Sequence, residues 1–132
     1  MFRIVYVSSA VEPFSEGELR QLLGEARSRN EACRVTGMLV YSQAKFLQAL
    51  EGEPAAVAST FDRISADRRH RNVKTLQRGI FSDQLFGNWA MGFHSDLKAP
   101  GQISINSRIS LDALDGLTAL DFLRSCSRTQ TG

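Results

Sequence analysis

Residues 2–9 (FRIVYVSS) are dense in β-branched and aromatic side chains, which predicts a strand. Ser15 stands before Glu16 and Glu18, where a capping oxygen and first-turn negative charge favour a helix start. Leu19, Leu22, Leu23 and Ala26 then repeat at helical spacing as far as about Asn30. Residues 35–42 (VTGMLVYS) predict a second strand, and the short polar link Ser42-Gln43-Ala44 suits a hairpin into a third, Lys45 to Leu50. Glu51-Gly52-Glu53-Pro54 breaks that strand, and Pro54 fits the first turn of a second helix. Val57, Phe61 and Ile64 give this helix an apolar stripe as far as about Asp67. Residues 72–81 resume an extended pattern, Trp89 to Phe93 form a short fifth strand, and Pro100-Gly101 mark a turn or linker. Ser110 caps a last helical region from Leu111 to about Cys126, interrupted by Gly116.

The order β-α-β-β-α-β-β-helix predicts an α+β, ferredoxin-like fold, an antiparallel sheet with two helices on one face. In that topology the first and third strands are central neighbours. Ile4, Tyr6 and Ser8 then share one face of the first strand, and Phe46, Gln48 and Leu50 one face of the third. The opposite face, with Val5, Val7, Leu47 and Ala49, is apolar as well. A sheet apolar on both sides needs two covers, so the C-terminal helix or a partner chain must supply the second.

A chain of 132 residues, 42% hydrophobic and 23% charged, is a single domain with a real core. Its net charge of +2 provides no strong field for nucleic acid or a membrane surface, though Asp67-Arg68-Arg69-His70-Arg71 keeps a local anion site open. The amino terminus enters a strand pattern directly, without the features of a signal peptide, and no run approaches the roughly 18 apolar residues of a membrane span. Cys33 and Cys126 form no metal-ligand or redox spacing. Free thiols and a cytoplasmic location are expected.

Two polar side chains stand out because the topology brings them together. Tyr6 and Gln48 sit mid-strand among apolar residues, and an unpaired buried amide costs about 1–3 kcal/mol, so something must satisfy Gln48. A Tyr–Gln bond that merely specifies the core is one reading, and a polar site is the other. Arg63 and Asp67 are spaced for an exposed ion pair on a helix, and Arg69 and His70 either complement the helix dipole or bind an anion. Asn30 reads as a C-cap or a ligand contact. Trp89 and Met91 share one face of a short strand and suit core packing.

The combination of Tyr6-x-Ser8, Arg29-Asn30, residues 35–42, Phe46-Leu47-Gln48-Ala49-Leu50-Glu51-Gly52, Asp67-Arg68-Arg69-His70 and Trp89-Ala90-Met91 resembles the BLUF family, sensors of blue light using FAD. The resemblance covers about residues 2–95. It implies FAD held noncovalently between the two helices, with FMN or riboflavin as substitutes. Tyr6 is similar to the family's photoactive tyrosine, and Gln48 to the glutamine that bridges it to the flavin. Asn30 resembles the asparagine at the carbonyl edge of the ring, and Leu39 and Phe46 match apolar positions beside it. Arg63, Asp67, Arg69 and His70 match positions near the ribityl and phosphate region, and Trp89 and Met91 the residues that relay the signal. The chain departs from the family pattern at Arg29, often Asn or His, at Ala26, often Ser, and in the stretch Asp83-Gln84-Leu85-Phe86, which usually carries an arginine.

The resemblance divides the chain into a photosensory domain, 1–96, and a linker with a helical cap, 97–132. The latter is too short for a catalytic effector. The expectation is therefore a sensor and not an enzyme, acting by homo-oligomerisation or through a separate downstream protein, without direct contact to nucleic acid or membrane. Two alternatives on the same fold are an acylphosphatase-like enzyme, for which the glycine-rich phosphate loop is missing, and a flavin-free interaction module.

Overall fold

The computed structural model describes residues 1–87, 91–95, 111 and 114–127. Its elements are β1 (Phe2–Ala10), α1 (Glu16–Cys33), β2 (Thr36–Ser42), β3 (Lys45–Gly52), α2 (Pro54–Ser65), β4 (His70–Ile80), β5 (Gly92–Ser95) and α3 (Gly116–Ser127). They form one five-stranded sheet in the order β4-β1-β3-β2-β5. β3 runs antiparallel to both β1 and β2, β4 antiparallel to β1, and β5 parallel to β2. This is the ferredoxin-like arrangement the pattern predicts, with β1 and β3 adjacent at its centre.

Local chemistry explains the boundaries and where they differ from the pattern. α1 opens on a capping box in which the Ser15 hydroxyl accepts from the Glu18 amide and the Glu18 carboxylate accepts from the Ser15 amide. It continues past Asn30 to Cys33, because Arg34, left-handed at φ 58°, closes it. Asn30 is therefore not the cap residue, although its carbonyl accepts from the amides of Arg34 and Val35. α2 ends at Ser65, short of Asp67. β3 does not break at Glu51 but continues through Gly52, because the buried Glu51 carboxylate pairs with Arg3 across the ladder. β5 begins after Met91, later than the pattern places it.

Gly116 starts α3 and does not interrupt it. Asp115 caps the helix by accepting from the Thr118 amide at 2.8 Å. Glycine is needed there: a Cβ would lie 2.7 Å from the Leu76 carbonyl oxygen, so α3 enters directly against β4. Ser110, the expected linker 97–110 and Trp89 lie outside the described residues.

Each sheet face has its own core. Beneath α1 and α2 lie Ile4, Tyr6, Leu19, Leu23, Leu39, Phe46, Leu50 and Val57. On the other face Val5, Val7, Met38, Val40, Leu47 and Ala49 pack with Phe86, Leu111, Ala119 and Leu123. The second cover the sheet requires is thus α3. Among the described residues, no helix is long and apolar enough to cross a membrane.

Candidate functional site

The β1–β3 register sets Tyr6 directly opposite Gln48, both buried on the α1/α2 face. The Tyr6 hydroxyl donates to Gln48 Oε1, and Gln48 Nε2 donates to Met91 Sδ at 3.3 Å. The sulfur fixes this orientation. A thioether only accepts, so the NH₂ end of the amide faces Met91 and the oxygen is left for the phenol. Burial, and secondarily the negative charge of Asp67, raises the Tyr6 pKa well above the ordinary phenol value. Tyr6 therefore stays a neutral donor at physiological pH. Its ring meets Phe61 edge-on at 5.3 Å between centroids.

This pair forms part of the wall of a cleft between α1 and α2 with an empty volume of about 710 Å³, part of it open to solvent. Phe14, Leu22, Ala26, Leu39, Phe46 and Ile64 supply apolar lining, and Asn30 and Gln48 contribute buried amides. The exposed end carries Arg29, Arg63 and Arg69 beside Glu25 and Asp67. Thr60 and His70 complete the lining.

Asp67 does not pair with Arg63, as helical spacing suggested. It forks onto Arg69 instead, accepting from Arg69 Nε at 3.0 Å, from Nη2 at 2.6 Å and from the Arg69 amide at 2.9 Å. Because α2 stops at Ser65, Asp67 lies in a turn, where a residue two positions on is within reach. The Arg69 side-chain bonds hold the Asp67 carboxyl below the usual carboxylate range, against a smaller opposing effect of burial. Arg69 also reaches Glu25 of α1 at 3.4 Å, so an ionic strap spans the two sides of the cleft. His70 has both ring nitrogens engaged: Nδ1 lies 2.8 Å from Ser8 Oγ, and Nε2 contacts the Ile64 carbonyl. A carbonyl only accepts, so Nε2 carries a proton, and Nδ1 shares a hydrogen bond with the Ser8 hydroxyl. His70 thereby ties β1 and the end of α2 to β4.

The structure brings Tyr6, Asn30, Leu39, Phe46, Gln48, Arg63, Asp67, Arg69 and His70 onto one cleft. Met91 touches it through Gln48, and Trp89 lies outside the described residues. Sequence reasoning missed Phe14, Leu22, Glu25, Thr60 and Ile64 as lining. Leu22, Glu25, Ala26 and Arg29 share one helix face, as do Val57, Thr60 and Ile64, so spacing held that signal. Phe14 lies in a loop, its amide donating to the Tyr41 hydroxyl at 2.9 Å, and no local pattern points to it. Arg3 and Glu51 were missed as well. Both are buried on the α3 face, where Glu51 accepts from Arg3 Nε at 2.9 Å and from the amides of Leu85 (3.0 Å) and Phe86 (2.7 Å).

A ferredoxin-like sheet with a largely apolar cleft, walled in part by a buried phenol–amide pair, has the form of a small ligand-binding module. Residues 1–92 match the BLUF family, sensors of blue-light using FAD, and the chain belongs to that family. The photoactivated adenylate cyclase subunit alpha of Euglena gracilis is 32% identical over 88 residues, 67% of this chain and 9% of that protein. The chain thus spans about a tenth of the length of the curated relatives it matches. The structure of BlsA in its photo-activated state superposes with a TM-score of 0.82 at 25% identity, covering 99% of this chain and 97% of that one. BlrP1 of Klebsiella pneumoniae with FMN and cyclic diGMP gives 0.67 at 25% identity, covering 99% of this chain and 30% of that one.

The cleft suits the flavin that this family binds. Its apolar walls match a flat heteroaromatic ring, its buried amides match polar ring edges, and its exposed arginines match phosphate.

Proposed function

We propose that this chain is a blue-light photoreceptor that holds FAD noncovalently in the α1/α2 cleft and signals by rearranging the Gln48 hydrogen bonds. The observation that carries this reading is the chain of donors and acceptors from Tyr6 through Gln48 to Met91 in the wall of that cleft. Leu39 and Phe46 would flank the ring, Asn30 and Gln48 would meet its polar edge, and Arg63 and Arg69 would face the phosphates. Asp67 and His70 would hold that end in shape. FMN or riboflavin would serve as substitutes, since the ring contacts do not depend on the adenosine end; FMN is present in the BlrP1 structure.

When bound, the flavin supplies blue absorption and an excited state able to accept an electron. Tyr6 is the donor. Its oxidised phenol is a strong acid, and the proton it releases has Gln48 Oε1 as its immediate acceptor. The amide of Gln48 would then rotate or tautomerise, exchanging donor and acceptor ends, and keep the new arrangement after both the electron and the proton have returned to Tyr6. The new hydrogen bond would shift the absorption of a bound flavin to the red. One such bond is worth about 0.5–1.5 kcal/mol, so the output is a population shift in a bistable element. The segment of Trp89 and Met91 together with α3 is that element, in a photosensory unit (1–96) followed by a linker and helical cap (97–132). The chain acts as a sensor and not an enzyme, in the cytoplasm, on a second copy or a separate protein. Cyclase activity belongs by name to the Euglena relative, of which this chain matches about a tenth.

Purified protein supplied with FAD turns yellow and shows a red shift under blue light that reverses in the dark. Gln48→Leu keeps the colour and loses the shift. A colourless protein, or an unchanged photocycle in Gln48→Leu, rules the reading out.

A further inference from the structure

Met91 is held at more than its sulfur. Its backbone carbonyl accepts from Arg27 Nε at 2.9 Å, a bond from α1 to the entrance of β5. Beside its methyl group lies Gly37, where an added Cβ would sit 3.3 Å from Met91 Cε and only 2.1 Å from the Ala49 carbonyl oxygen. The seat is thus shaped for the methionine on one side and fixed by Arg27 at the main chain. β5 itself is short, four residues long, and among the described residues it lies at the sheet edge and pairs only with β2. One charge-assisted bond at its entrance therefore weighs heavily. α1 also carries Leu22, Ala26 and Asn30 on the cleft.

We propose that Arg27 is a positioning residue that seats Met91 for Gln48 and so sets the rate of return to the dark state. This rests on the reading of Tyr6 and Gln48 given above. A rotated Gln48 amide presents Oε1 to Met91 Sδ, two acceptors face one another, and the thioether must give way. The Arg27 bond holds the Met91 carbonyl where the sulfur meets Nε2, which favours return. Without it, the displaced methionine is no longer drawn back.

The test is dark recovery after a blue flash, in wild type, Arg27→Ala, Arg27→Lys, Met91→Ala and the Arg27/Met91 double variant. Arg27→Ala keeps the red shift and recovers about two- to fivefold more slowly, the loss expected of a partly exposed hydrogen bond. Arg27→Lys, which still donates, restores most of the rate. The Arg27→Ala effect vanishes in the Met91→Ala background, because no thioether remains to be seated. Wild-type recovery in Arg27→Ala, or the same slowing with and without Met91, overturns the proposal. If Arg27→Ala fails to fold, Arg27→Met, which keeps most of the stem but donates no hydrogen bond, carries the same comparison. A wild type that shows no light-induced shift, or a Gln48→Leu variant that still shifts, defeats the reading of Gln48 instead, so the two failures are distinct.

Discussion

On one face of the β1–β3 ladder Tyr6 and Gln48 meet in the wall of a cleft, and on the other Arg3 and Glu51 meet beneath the 81–87 loop. Both pairs are buried, cross-strand and polar, yet their networks end differently. Glu51 takes three N–H donors on two oxygens, while Arg3 also donates to the Asp83 carbonyl at 2.6 Å and stacks on Phe81 at 4.4 Å. Charged and closed, that network has one arrangement. The Tyr6–Gln48 chain is neutral and ends on a thioether, a weak acceptor. On the proposed reading, its amide is the group that takes a second arrangement. On that reading, the same two strands carry a fixed clamp and a switchable relay, set apart by charge and terminus.

The largest effect that would sharpen this contrast is expected at Glu51. Glu51→Ala leaves Arg3 charged and two amides unpaired in the α3-side core, and should cost about 3–5 kcal/mol in urea unfolding. Leu123→Ala, which opens a cavity under α3, should cost about 2–5 kcal/mol with the cleft unchanged. Tyr6→Phe should abolish the light response for only about 1–3 kcal/mol, the penalty of one unpaired amide oxygen. If Tyr6→Phe destabilised the fold more than Glu51→Ala, the distinction between relay and clamp would collapse.

The smallest effect is that of acid. Asp67 is held below its ordinary pKa, so its stabilising contribution is complete above the unfolded value of about 4 and fades as pH falls through the folded value. Wild type and Asp67→Asn should differ in melting temperature at pH 6, and the difference should shrink as pH falls below about 4. Cys126, pushed up to about 12 by burial, should resist thiol reagents in the native state.

Much of the fold was legible because each strand and helix carries its own period. The central β1–β3 pairing follows from element order alone. The same register that opposes Tyr6 and Gln48 also opposes Arg3 and Glu51, three residues along each strand. That second pair was readable in principle, but the turn-like Glu51-Gly52-Glu53-Pro54 run masked it. The partners of Asp67 were not readable, because they depend on where α2 stops. Nor was the Arg27 bond to Met91, since a main-chain acceptor 64 positions away leaves no side-chain pattern.

The β2–β3 hairpin turns through Gln43 and Ala44, at φ 52° and 60°. Two side-chain-bearing residues occupy left-handed backbone that Asn-Gly adopts with little penalty, a cost of about 1–2 kcal/mol each. The tip is therefore an unspent reserve of thermostability. A Gln43→Asn/Ala44→Gly exchange should harden the scaffold while leaving the α1/α2 cleft, which neither residue lines, unchanged.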